Sequence, residues 1–172
     1  MASSPPPNAV QGPSLPLEDR VSPVGSFTDP EYAQVGLSES KARQVHDVVI
    51  ANVQFDATTR TIIDGRKTGF CKLIVDRKTY TILGCHVIGE RAVDIVEVAA
   101  MAVAAKMRVD ELARIPLAFP TYAGILVNAA VIAARELGLR LGWQAHQAEV
   151  FAVNSRSGNK ERTATPAMAV AS

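Results

Sequence analysis

FTDPEYAQVGLSESKA, residues 27–42, is the stretch whose reading decides the fold. Its Asp29-Pro30 pair is a turn signal that closes a short extended entry over 26–28. Ser38 is placed to cap a helix, because its hydroxyl can accept a first-turn N–H. Glu39 then puts a negative charge at the positive end of the helix dipole. That helix is expected to run to about Gln44. Working outward, residues 47–54 are rich in Val and Ile and read as a strand. Residues 69–76 and 79–88 are two strand-like runs around Arg77-Lys78, the signature of a hairpin. Residues 90–107 have the length of a helix and are Ala-rich. Residues 110–115 read as a short helix stopped by Pro116. Residues 121 to about 137 read as a second long helix, with Gly138 as its stop.

The chain of 172 residues suits one domain with tails, and its 48% hydrophobic content is enough for a core. A net charge of +1 argues against nucleic acid or an anionic membrane as the main partner. The longest apolar run, 95–105, is interrupted by Glu97 and is too short to span a bilayer. The N-terminus lacks the basic flank and apolar run of an export signal, and there are two cysteines, so a cytoplasmic location is expected. Six of the ten prolines fall within residues 1–23, which are expected to form a disordered arm. The folded domain is expected over 24–143, and 144–172 as a mostly disordered tail.

The first long helix is apolar almost all round. Val93, Val96, Ala100, Val103 and Met107 make one stripe, and Ile95, Val98, Ala102 and Ala105 another. A helix covering a single sheet keeps a broad polar face. This pattern therefore predicts cover on two sides, by the chain's own sheet and by either a second copy or another part of the same fold.

Several motifs stand in order and spacing: Phe27-Thr28-Asp29-Pro30-Glu31 with Val35-Gly36, then Arg60, then Gly69-Phe70, Lys72 and Asp76. Ile82-Leu83-Gly84, His86, Gly89, Glu111-Leu112 and Pro120-Thr121 continue the series. From 27 to about 134 the chain resembles the C-terminal dimerisation domain of the FAD-dependent pyridine nucleotide-disulfide oxidoreductases. Dihydrolipoamide dehydrogenase, glutathione reductase and mercuric reductase belong to that family. Each motif alone is weak; five in register over about 100 residues are specific. The resemblance implies an α+β fold, an antiparallel sheet with helices packed on one side, dimerising through helices and sheet edges. It implies FAD and NAD(P) as cofactors of the intact enzymes, and a homodimer.

The family's catalytic segment is His-Pro-Thr with a Glu three residues on. Its His acts as acid-base catalyst toward the partner's cysteine pair, and its Glu holds the ring. Here the His position is Phe119 and the Glu position is Gly124, while Pro120 and Thr121 match. A phenyl ring can neither take nor return a proton, and loss of a general base slows proton transfer by about 10²–10⁴-fold. No catalytic residue is therefore expected in this chain. Phe119, Pro120 and Thr121 are expected to contact, at most, an FAD bound by a partner, and the Phe119-Pro120 bond is expected to be cis by the family's pattern. An aromatic residue at this position, together with Met107, Val109 and Glu111-Leu112-Ala113, is similar to mercuric reductase. That branch uses further C-terminal cysteines, and none follows Cys85 here.

No Gly-x-Gly-x-x-Gly turn or Cys-x4-Cys pair is present, so dinucleotide binding by this chain alone is not expected. A separate FAD/NAD(P)-binding subunit, or a larger FAD-dependent enzyme of which these residues are the C-terminal part, is the alternative. Cys71 and Cys85 fall on one hairpin face, nearly opposite, where a disulfide is conceivable. They alternate with Leu73, Val75, Leu83 and Val87, so the expectation is two buried free thiols. His46, His86 and His146 are too dispersed for a metal site. Asp94 and Glu97 read as a charged helix edge, and Tyr122 as a phenol beside the altered catalytic turn.

Overall fold

A computed structural model describes residues 21–141. Residues 1–20 of the arm expected over 1–23, the tail expected over 144–172, and His146 fall outside the described residues. Five strands form one antiparallel sheet: β1 (Val24–Ser26), β2 (Tyr32–Gly36), β3 (Val48–Gln54), β4 (Phe70–Asp76) and β5 (Ile82–Ile88). Their spatial order is β1-β2-β5-β4-β3. The helices are α1 (Glu39–Val45), α2 (Thr59–Ile63), α3 (Ala92–Ala104), α4 (Val109–Arg114) and α5 (Gly124–Glu136), with a 3-10 turn at Phe55–Ala57.

Strand alternation builds the core. Two rows cross four strands on one face: Ala33–Val87–Cys71–Val53 and Val35–Cys85–Leu73–Ala51. All eight are buried. Helix α3 lies over β2 and β5, and α5 over β3 and β4, so the two long helices cover this face side by side. The other face carries the rows Tyr32–Ile88–Phe70–Gln54 and Gln34–His86–Lys72–Asn52. There α1 covers one end, through Ala42 against Val48 and Ile74. The α+β class and antiparallel sheet expected from the resemblance are found; the two long helices share one face as expected, but the short α1 packs on the other.

Helix α1 is capped as its sequence requires: Lys41 N–H donates to Ser38 Oγ at 3.4 Å. Arg43 and Lys72 both reach Glu39, at 2.9 and 3.1 Å. The hairpin forms between β4 and β5, but its register shifts at Ile74/Val75, and the loop is longer than a two-residue turn. The shift sets Cys71 opposite Val87 and Cys85 opposite Leu73. The two cysteines are therefore diagonal neighbours rather than directly opposed.

Two glycines are fixed by close approach. A Cβ at Gly84 would meet the Leu37 carbonyl oxygen, where the Leu37 N–H pairs with Leu83 O at 2.9 Å. Gly89 has φ +139 and lies against the fully buried Phe55 ring. A side chain there would combine backbone strain with a clash against the core.

Helix α3 is shorter than expected and mostly covered by its own chain. Ala92, Ile95, Val96, Ala99 and Ala102 are buried, and Val93, Val98, Ala100 and Val103 are partly buried. Its outward face is Asp94, Glu97, Met101, Ala104 and Ala105, with Met101 66% exposed. The apolar ring of residues seen in the sequence thus divides: the sheet and neighbouring loops take most of it, and Met101 stays exposed. Helix α5 starts at Gly124 rather than at Thr121. The intervening residues form the turn that matters below. Among the described residues no helix is long and apolar enough to cross a membrane.

Candidate functional site

The turn over 118–123 links α4 to α5. The Phe119-Pro120 bond is cis, as is Asp29-Pro30. Phe119 is 71% exposed, an unusual position for a large apolar ring. Thr121 spends its hydroxyl locally, donating to Ala118 O at 2.9 Å. Gly124 opens α5, and no side-chain contact closer than the Thr121 hydroxyl stands where its Cβ would be. Neither Phe119 nor Gly124 carries a titratable side-chain proton.

The titratable groups near the turn come from elsewhere. Tyr122 donates its hydroxyl to Asp64 Oδ2 at 2.7 Å, and Arg60 Nε donates to the same oxygen at 2.8 Å. The Arg60 guanidinium also lies 5.9 Å from the Tyr122 ring centroid. Donation from Tyr122, then from Arg60, holds the Asp64 carboxyl below the usual carboxylate range. Burial first, then the Asp64 carboxylate, pushes the Tyr122 phenol up, so it keeps its proton at neutral pH. An open cavity of about 260 Å³ lies alongside, lined by Arg60, Arg91, Asp94, Ile95 and the segment Pro120 to Ala123. Two guanidinium groups and one carboxylate line it: Asp94 accepts from Arg91 Nη1 at 3.4 Å, and Arg60 pairs with Asp64 outside the lining. Asp94 is thus an ion-paired helix edge and forms no carboxylate dyad with Glu97.

The described residues do not fit a dinucleotide. A pyrophosphate needs free N–H groups at a helix start and glycines that let the backbone approach. The start of α3 is already occupied, because the Val93 N–H donates to Glu31 Oε2 at 3.2 Å and the carboxylate repels a second anion. Gly36, Gly69, Gly84 and Gly89 face backbone or the Phe55 ring, and Gly65 and Gly138, which face open space, follow the C-terminal ends of α2 and α5, where the dipole disfavours an anion.

The two cysteines are fully buried, reduced, and 3.8 Å apart at sulfur. Contact with Cys71, then burial, pushes the Cys85 thiol well up, so it stays protonated. His86 is half-buried with Nε2 3.2 Å from Leu37 O, a structural contact on the open sheet face. His46 forms a pair that the sequence reading missed: its Nδ1 lies 2.6 Å from Oδ2 of the buried Asp76. Asp76 Oδ1 also accepts the Lys78 and Thr79 N–H groups at 2.7 and 3.0 Å, so this carboxylate organises the β4–β5 loop. Among the described residues no group of three or more His, Cys, Asp or Glu could hold a metal ion.

Comparison with known proteins agrees with this geometry. The chain is 35% identical over 106 residues to a mercuric reductase of Lysinibacillus sphaericus, covering 61% of this chain and 19% of that protein. It is 31% identical over 118 residues to a dihydrolipoyl dehydrogenase of Synechocystis, covering 66% and 25%. The chain thus spans about a fifth to a quarter of the curated relatives it matches. Its fold superposes on LpdA of Mycobacterium tuberculosis with a TM-score of 0.65 and 25% identity, over 72% of this chain and 27% of that one. The HOCl-induced flavoprotein disulfide reductase RclA of Escherichia coli shares the fold, with a TM-score of 0.61 and 22% identity over 68% of this chain and 28% of that one. The model of the pyridine nucleotide-disulphide oxidoreductase dimerisation domain matches residues 22–130, from the entry into β1 to the middle of α5. Sheet order, turn and sequence converge, and the chain belongs to the family of pyridine nucleotide-disulphide oxidoreductase dimerisation domains.

Proposed function

We propose that this chain is a docking unit that pairs with a second copy of itself and carries out no proton-transfer chemistry of its own. The observation that carries the reading is the exposed phenyl ring of Phe119, with Gly124 where a carboxylate would stand. An imidazole with a pKa of about 6.5 exchanges protons at neutral pH, and a hydrocarbon ring does not. An exposed ring instead offers apolar area to a partner surface. The domain's family supports self-association, and Met101 on the outward face of α3 supplies further uncovered area.

The family's enzymes work with FAD and NAD(P). In this chain Phe119, Pro120 and Thr121 would meet an FAD only if another polypeptide held it, either a second copy's larger body or a separate flavin-binding subunit. Burial of both thiols speaks against a role for Cys71 and Cys85 in disulfide or mercury chemistry. A reducing cytoplasm suits two free thiols kept in contact.

The purified 172-residue chain tests the reading. Light scattering should give twice the 18.3 kDa chain mass. The preparation should be colourless and should not oxidise NADH in the presence of a disulfide. A monomer at all concentrations, or a tightly held flavin, would overturn it.

A further inference from the structure

The turn over 118–123 has no regular secondary structure, yet it is tied to a distant part of the chain. The Tyr122 hydroxyl reaches Asp64 across 58 positions, at 2.7 Å. Asp64 is itself held: Arg60, one helical turn earlier on α2, donates to the same oxygen at 2.8 Å. Helix α2 is held in turn. Thr58 and Thr61 are buried, their hydroxyls are 2.8 Å apart, and both donate to the carbonyl of Phe55. Phe55 is fully buried under Gly89. A continuous path of contacts therefore runs from a core ring through α2 to the Tyr122 phenol.

The other end of the turn feeds α5. Ala123, at the cap position, has no side-chain acceptor to offer. The amides of Gly124, Ile125 and Leu126 bond back to the carbonyls of Thr121, Tyr122 and Ala123, at 3.3, 3.2 and 3.0 Å. The first turn of α5 is thus only as steady as those three residues.

We propose that Asp64 and Tyr122 are positioning residues, a latch that fixes the Phe119 to Thr121 turn on α2 and so sets the surface a second copy meets. The last part rests on the docking reading above. Arg60 keeps the latch's acceptor in place, and the phenol supplies its donor.

Tyr122→Phe and Asp64→Ala in the full chain test this. Each should speed hydrogen exchange at the Gly124, Ile125 and Leu126 amides about threefold to tenfold, the loss of one modest hydrogen bond. The double variant should not exceed Asp64→Ala alone by more than experimental error, because that variant already removes the Tyr122 contact. Exchange in β4 and β5 should not change, and the dimer dissociation constant should rise with the exchange rate. Unchanged amides in either variant would overturn the latch, as would fully additive effects. Equal acceleration across the sheet would also overturn it, marking a general loss of stability. Faster exchange with an unaltered dissociation constant would remove the docking role. A wild-type monomer would sink the docking reading instead, and the exchange data alone would then decide the latch.

Discussion

Replacing Phe119 by alanine should sharply loosen the dimer proposed above. Full burial of a phenylalanine is worth about 1.5–3 kcal/mol. The ring is 71% exposed in the single chain, so about 1–2 kcal/mol remains to be gained when a partner covers it. A two-fold interface uses each residue twice, which makes about 2–4 kcal/mol per dimer. At 1.4 kcal/mol per tenfold, the dissociation constant should rise by about thirtyfold to several hundredfold. Sedimentation equilibrium over a dilution series measures it. Val45 is a matched control, also 71% exposed but at the end of α1 on the other sheet face. Val45→Ala should leave the dissociation constant unchanged. An unaltered constant for Phe119→Ala, or an equal loosening by Val45→Ala, would refute the assignment of the turn to the contact surface.

Acid should weaken the fold through Asp76. Burial opposes its charge, but the Thr79 and Lys78 N–H groups and His46 outweigh burial and lower its pKa from 3.8. A lowered folded pKa gives stability that is present above about pH 4 and is lost as pH falls through the folded value. Denaturant midpoints should therefore drop below about pH 4 in the native chain, and Asp76→Asn should flatten that drop while costing stability at pH 7. The thiols should be silent. A chromogenic disulfide reagent should react with neither Cys71 nor Cys85 in the native state within minutes and with both after unfolding, because each is fully buried. Rapid reaction of either in the native state would contradict the core placement.

Much of the sheet could be read in advance because its residues alternate or cluster by type. The 48–54 and 70–88 region carries Val and Ile at strand spacing, and α1 announces itself by Ser38 and Glu39. Strand β2 was not legible. Its five residues, YAQVG, hold only two inward apolar positions, Ala33 and Val35, too few for a period to show. Helix α2 was hidden for a different reason: TRTII is β-branched at four of five places, and it is helical because Thr58 and Thr61 bond into the core. The site divides in the same way. Phe119 and Gly124 are singled out by their place in a motif alone, whereas Asp64–Tyr122 and His46–Asp76 join residues 58 and 30 positions apart. No local spacing reports such pairs.

The strand order has a consequence for how the chain assembles. β4 and β5 are neighbours in both sequence and space, and β3 joins β4 after only a modest loop. β2 must instead cross from position 32 to pair with position 88, closing the longest loop in the sheet. Entropy therefore favours a three-strand nucleus of β3, β4 and β5, with the N-terminal strands zipping on later. Lesions in that hairpin should slow folding, while lesions in β2 should chiefly hasten unfolding.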